Sequence, residues 1–185
     1  MKSFPLCSNN KSFDSLSFHK KAIKKASLLS LILFLLAITA VPVLAAQPAP
    51  NLTLKTLNNQ DLKISELKGD VVYVDFWATW CPPCRQSFPW MEEMHQRYSN
   101  LGFKIVAISL DTKRDVIDQF LKTMTTNFTI AHDPGGESAT AFQVKGMPSS
   151  YLIDRKGNVH LTHMGFNDRD KAKLESQIKD LIAKD

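Results

Sequence analysis

Beyond residue 50 the hydrophobic and polar positions of this chain change period several times, and each change predicts an element. Leu52-Thr-Leu and Leu62-Lys-Ile alternate about an Asn58-Asn59 turn, the pattern of a small β-hairpin, and Ser65 stands where it could cap one helical turn. Val71 to Phe76 is a short, almost wholly apolar run, as in a strand buried on both faces of a sheet. Asp75 interrupts it. From Pro82 to about Tyr98 the pattern becomes helical, with Phe88, Met91 and Met94/His95 inward. Pro89 should kink this helix, because its missing N–H frees the Arg85 carbonyl. Gly102 ends the unit.

Phe103 to Leu110 predicts a second central strand, and Asp111 with Thr112 opens a helix from Arg114 to Met124, where Val116, Ile117, Phe120, Leu121 and Met124 recur at helical spacing. Thr129 to His132 reads as a short strand, Asp133-Pro-Gly-Gly as a turn and Glu137 to Phe142 as a brief helix. Ser150 to Asp154 and Val159 to His163, joined through Arg155-Lys156-Gly157-Asn158, predict a hairpin at the sheet edge. A last amphipathic helix, about Asp168 to Ala183, turns Leu174, Ile178 and Leu181 toward the sheet.

The start of the chain has a different character. Lys20, Lys21, Lys24 and Lys25 precede a Leu-rich run from Leu28 to Val41, then Pro42 and small residues. These are the three parts of an export signal, with Val43 and Ala45 at the −3 and −1 positions of a cleavage after Ala45. The alternative is an uncleaved anchor, since the apolar run approaches the roughly 20 residues that span a bilayer. Either way the body of the protein is expected outside the cytoplasm, in the periplasm or its equivalent. The polar first nineteen residues read as an extended n-region or an upstream start, and Cys7, ahead of the apolar run, would be discarded on cleavage. The expected division is therefore residues 1–45 as leader, 46–50 as a Pro/Ala linker and 51–185 as one domain, for which a 44 % apolar chain of 185 residues suffices.

Charge matters here only once it is located. The sequence pI is about 9.1, but residues 1–46 hold six lysines against one aspartate, and the remainder carries 17 basic and 17 acidic residues. No basic stripe is left for a phosphate backbone, which excludes nucleic acid as a partner.

The chemistry sits where the first central strand meets its helix, in Trp80-Cys81-Pro82-Pro83-Cys84. Cysteines at i and i+3 across a helix start lie on one side of the first turn, so their sulfurs can bond. Such a short loop restrains the unfolded chain little, so the pair reads as chemistry, not as a staple. At Cys81 the unpaired N–H groups and positive end of the helix favour a thiolate, with a pKa drawn below about 8.5 toward roughly 3.5–7.5. Pro82 and Pro83 occupy first-turn positions where a missing N–H costs nothing. Cys81 is thus the expected nucleophile and Cys84 the resolving thiol.

The run VDFWATWCPPC resembles the active-site strand and loop of the thioredoxin superfamily, and Lys145-Gly146-Met147-Pro148-Ser149 before YLID resembles that family's cis-proline loop. With Phe88-Pro89 after the cysteines and a longer section at 111–144, the chain is similar to the exported TlpA/ResA-like thiol-disulfide oxidoreductases over about residues 50–185. The resemblance implies an α/β thioredoxin fold: a central mixed sheet flanked by helices, with an N-terminal β-hairpin and a central insertion. It implies that Asp75 lies beneath Cys84 as a buried proton shuttle of raised pKa, that Met147-Pro148 is cis, and that Trp80, Pro82, Pro83, Met147 and Pro148 receive an extended peptide. Many ResA-like proteins carry an acid three residues after the second cysteine; Ser87 stands there in this chain, which argues against a close match to the apocytochrome reductases.

The expected function is reduction of disulfides in exported cysteine-containing proteins, with cytochrome c maturation as one setting, by a monomer recharged by a membrane thiol donor. No cofactor beyond the Cys81–Cys84 disulfide is expected. The alternatives are a thiol oxidase, a peroxide-reducing enzyme using Thr79 and Arg85, or a non-catalytic module holding Cu(I) or Zn on the two thiolates. Zinc would need two more ligands. His95, His132, His160 and His163 are candidates on paper, but a spacing of three puts His160 and His163 on opposite faces of a strand.

Overall fold

The computed structural model describes residues 46–184; the leader, its cleavage point after Ala45 and Cys7 lie outside the described residues. Eight strands make one sheet in the order β1-β8-β7-β4-β5-β6-β2-β3. They are β1 Gln47–Pro48, β2 Thr53–Thr56, β3 Asp61–Lys63, β4 Val71–Trp77, β5 Phe103–Ser109, β6 Thr129–His132, β7 Ser149–Ile153 and β8 Asn158–Met164. The helices are α1 Pro82–Tyr98, α2 Arg114–Leu121, α3 Glu137–Ala141 and α4 Asp168–Ile182. Central β4 runs parallel to β5 and antiparallel to β7, so the sheet is mixed.

Every residue of β4 is buried. With its period of two, Val71, Tyr73 and Trp77 join the core under α1 and α4, while Val72, Val74 and Phe76 join a second core on the other face with Phe142 and Tyr151. A strand with both faces covered needs a near-continuous apolar run, which is what the sequence supplies. The closing helix α4 begins with a reciprocal capping box between Asn167 and Asp170 and buries Leu174, Ile178 and Leu181, as expected. Among the described residues no helix is long and apolar enough to cross a membrane.

Several local expectations give way to longer-range contacts. Gln47 and Pro48, assigned to a linker, add a short strand beside Val159 and Asn158, so the β7–β8 hairpin is not outermost. The β2–β3 hairpin forms about Asn59 in a left-handed conformation and joins the far edge through β6. Ser65 caps nothing; its hydroxyl donates to Asn51 Oδ1 at 2.8 Å within a 3₁₀ turn, Ile64–Leu67. Helix α2 stops at Leu121, three residues early, where Thr123 returns both its N–H and its hydroxyl to the Phe120 carbonyl. Its N-cap is Lys113, not Asp111 or Thr112.

Arg155, read only as a turn residue, ties the end of the sheet away from the cysteines. Its guanidinium donates to the carbonyls of Gly69 at 2.7 Å, Leu101 at 3.2 Å and Ile182 at 3.1 Å. One planar fork thereby closes the entries to β4 and β5 and the end of α4. Gly102 makes room for it: a Cβ there would fall 2.7 Å from Arg155 Nη1, in a backbone with φ of +77°. Truncating the fork leaves three carbonyls without this donor. Arg155→Ala should lower unfolding stability by about 1–3 kcal/mol in denaturant titrations, whereas Lys156→Ala, on the exposed neighbour, should shift the midpoint little.

Candidate active site

Strand β4 delivers Trp77 to the core, and the chain then turns through Ala78-Thr79-Trp80 into α1. Cys81 donates its N–H to the Ala78 carbonyl at 3.1 Å and takes the extended N-cap conformation, with Pro82 and Pro83 opening the helix and Arg85 N–H returning to the Cys81 carbonyl at 3.2 Å. Prolines at these two positions fit because their missing N–H groups have no intrahelical partner to lose. Cys81 and Cys84 form a disulfide, S–S 1.99 Å and Cα–Cα 5.3 Å. Their exposures, 5 % and 0 %, leave Cys81 as the sulfur a partner can reach.

Cys81 opens onto a groove of about 590 Å³, lined also by Trp80, Pro82, Pro83, Leu110, Val144 and Met147. Trp77 and Trp80 go to opposite surroundings. Trp77 is enclosed against Phe88 and Phe120, and Trp80 stands 67 % exposed beside the disulfide. The Met147–Pro148 peptide is cis. Around it, Ser149 Oγ donates to the Gly146 carbonyl at 2.7 Å and Gly165 N–H to the Pro148 carbonyl at 2.8 Å. The backbone N–H and carbonyl of Met147 bond no other described residue. Gly146 lets the Met164 side chain lie across the loop, since a Cβ there would approach its sulfur to 3.3 Å. The groove is therefore an apolar trough with one free backbone position at its wall.

Asp75 is 1 % exposed and shares its face of β4 with Tyr73 and Trp77, the face covered by α1, whose first turn carries Cys84. That placement excludes a solvent-facing role at the strand end. Its Oδ2 is buried without a hydrogen-bond partner among the described residues, and burial raises its pKa well above the ordinary carboxylate value. On one side the strand register sets Ala107 beside it, on the other Ser150. Ser87, buried on α1, donates to the Cys84 carbonyl at 2.8 Å, so its hydroxyl is committed to the helix backbone.

The sequence reading missed a second buried aspartate. Asp111, assigned to a helix start, instead accepts from Thr79 N–H and Thr79 Oγ1, both at 2.8 Å, and from Ser109 Oγ at 2.9 Å. Its carbonyl meets His132 Nε2 at 2.7 Å. The carboxylate thus pins the loop two residues before Cys81. This contact also disposes of the peroxide-reducing arrangement, because the Thr79 hydroxyl is turned toward Asp111 and Arg85 lies exposed on α1. His160 is exposed, His163 is half-buried on β8, and among the described residues no group of three or more His, Cys, Asp or Glu could hold a metal ion.

Residues 45–162 match the AhpC/TSA family. Thiol-disulfide oxidoreductase ResA of Bacillus thuringiensis subsp. konkukian is 33 % identical over 131 residues, which cover 71 % of this chain and 75 % of that protein. A Chlorobium tepidum protein assigned as a thiol:disulfide interchange protein, DsbE, is 46 % identical; its crystal structure superposes with a TM-score of 0.72 over 75 % of this chain and 97 % of that one. A second Chlorobium tepidum structure, a thiol:disulfide interchange protein of the thioredoxin family, gives 28 % identity and a TM-score of 0.67 over 75 % and 98 %. Ser87 therefore marks a variation among ResA-like chains and not a departure from them. The family match runs through the buried strand, the cysteine pair and the cis-proline loop alike: the chain belongs to the AhpC/TSA family and is a ResA-like thiol-disulfide oxidoreductase of the thioredoxin superfamily.

Proposed function

We propose that the protein reduces disulfides in exported proteins, apocytochrome c among them, by a two-thiol exchange. The observation that carries this reading is a redox-capable pair with one sulfur at the wall of an apolar groove and the other buried on the same side of the sheet as a carboxyl of raised pKa. A partner strand lies along Met147 and Pro148, its backbone paired to the open Met147 groups and its side chains against Trp80, Pro82 and Pro83. The Cys81 thiolate attacks one sulfur of the partner, forming a mixed disulfide and releasing the other sulfur as a thiol. Cys84 gives its proton to Asp75 and attacks the Cys81 sulfur, which frees the second partner thiol and leaves the Cys81–Cys84 disulfide. Two electrons pass to the partner, and a membrane thiol donor returns them. The Lys-rich, Leu-rich leader supports export, by cleavage after Ala45 or as an anchor.

Reduction as the direction is tested by potential. Equilibration with glutathione should give a value near the thioredoxin range of about −270 mV, and one near about −120 mV would make the protein an oxidant instead. Substrate class is tested by trapping. Cys84→Ser expressed in the native cell should accumulate mixed disulfides through Cys81 with exported proteins, seen as reductant-sensitive bands; their absence, with the variant folded and exported, counts against protein substrates.

For Asp75 the sign follows from burial. Its native pKa is raised, so the stability gained by keeping it neutral is fully present below its ordinary value of 3.8 and is lost as pH rises through the native pKa. Asp75→Asn removes that loss. The variant should match the wild type near pH 3 and exceed it by roughly 1–3 kcal/mol at pH 8, while its disulfide reductase rate at pH 7 falls about tenfold to a hundredfold. Denaturant midpoints across pH and an insulin reduction assay give the two readouts.

A further inference from the structure

A carboxyl sealed at 1 % exposure cannot exchange protons with water directly. Each turnover brings it a proton from Cys84, and that proton must leave before the carboxyl can accept another. The sheet register shows where that proton can go. Asp75 on β4 lies opposite Ser150 on β7, and Ser150 lies opposite His163 on β8. Directly opposed residues of antiparallel strands point to the same face with Cβ atoms about 4.5–5.5 Å apart, so these three side chains form one polar row spanning about 10 Å across two strand spacings. On the other side of Asp75 the row ends at Ala107, which offers no acceptor.

The same face supplies the surroundings. Leu152 and Leu161, two pairs further along and so on the same face, belong to or pack on the core beneath α1 and α4, which fixes the row to that side of the sheet. Trp90 roofs it from α1, its ring edge-on to Tyr73 and tilted against Phe166. The Tyr73 phenol is buried on this face, and burial together with the nearby Asp75 pushes its pKa up. The row meets solvent at His163, whose Nε2 lies 3.4 Å from Asp170 Oδ2 of α4, each side chain 24 % exposed. Three buried polar atoms without hydrogen-bond partners belong to this one region: Asp75 Oδ2, Trp90 Nε1 and His163 Nε2. Buried polar atoms are normally paired, so such a concentration needs a reason. His163 meets Asp170 of α4, which is itself bonded by its capping partner Asn167, and lies opposite Ser150 of β7, with Lys171 drawn aside over Phe166 and onto Asp168.

We propose that Asp75, Ser150 and His163, with Tyr73 alongside, form a proton relay from beneath the disulfide to the α4 end of the sheet. This rests on the reading of Asp75 as the proton acceptor of Cys84. In the exit direction the Asp75 carboxyl gives its proton to the Ser150 hydroxyl oxygen while Ser150 passes its own proton to the His163 imidazole. The imidazolium, steadied by the Asp170 carboxylate, then loses that proton to water. The emptied carboxylate takes the Cys84 proton, and no charge beyond the moving proton is created or lost. Histidine suits the exit because its ring has one nitrogen that can accept a proton and another that can give one up. His163 is a relay residue acting through Asp75; it does not touch the sulfurs.

The test uses Ellman's reagent and the reduced full chain, with Cys7→Ser so that only the active pair reacts. The first release of thionitrobenzoate reports attack by Cys81, and the second reports resolution by Cys84. His163→Gln and Ser150→Ala should each leave the first phase within twofold of wild type and slow the second at least fivefold at pH 7. Adding imidazole buffer should restore the second phase in His163→Gln, where a diffusible base can stand in for the half-exposed ring, but not in Ser150→Ala, whose break is buried, and the wild type should be insensitive to it. A second phase unchanged in both variants, or slowed in His163→Gln without rescue, or slowed together with the first, overturns the relay. Asp75→Asn separates the two claims: if it slows the second phase while the row variants do not, the relay alone fails; if it too has no effect, the Asp75 reading fails with it.

Discussion

Burying a strand on both faces forces every polar group on it to be either paired or functional, and β4 is that strand. Its backbone is held by β5 on one side and β7 on the other, and its side chains feed two separate cores. The rigidity of this segment sets where the chain leaves the sheet, and therefore where Cys81 stands relative to the first turn of α1. A cysteine at the N-cap of a helix gains from the unpaired N–H groups there only if the entry is fixed. The fixing comes from Trp77, wedged among Phe88 and Phe120, and from Asp111, which grips Thr79.

The second half of the site is brought by a neighbouring strand. β7 follows the cis-proline loop directly and pairs with β4 residue by residue, Phe76 opposite Ser149 and Asp75 opposite Ser150. The loop that borders the partner groove and the strand that carries the buried carboxyl are thus adjacent rungs of one ladder. The insertion at 111–144, beyond adding β6 to the sheet, contributes Ala139 and Val144 to the groove wall, so this segment shapes the groove beside the disulfide.

What was legible in the sequence was what period and local chemistry encode. The apolar run of β4, the bounds of α1, the inward residues of α4 and the cysteine pair all follow from spacing along one segment. What was not legible depends on partners far away in the chain. Asp111 looked like a helix opener because Asp often is one; its acceptor role depends on Thr79, 32 residues earlier. Arg155 sits in a turn, and nothing near it announces bonds to residues 86, 54 and 27 positions away. His163 was set aside as an edge residue, because the opposite-face argument against a joint metal site with His160 is silent on what lies across the sheet. Only the register, Ser150 to Asp75, gives it a place.

Two buried aspartates, one on β4 and one just past the end of β5, show how such groups divide between holding and reacting. Asp111 accepts three hydrogen bonds from two residues, so its charge is compensated where it sits and the group works as a clamp. Asp75 has an oxygen with no partner and an environment that resists ionisation, a configuration that costs stability and would be removed by almost any neutral replacement. A clamp of that kind would be poorly made. The cost is understandable if the group must change its protonation state during turnover, because a carboxylate satisfied by three donors cannot readily take a proton from a thiol, whereas an unsatisfied one can. The same reasoning explains why the polar row leads away from Asp75 toward β8 and not toward β5: the side that must conduct carries hydroxyl and imidazole, and the side that must insulate carries alanine.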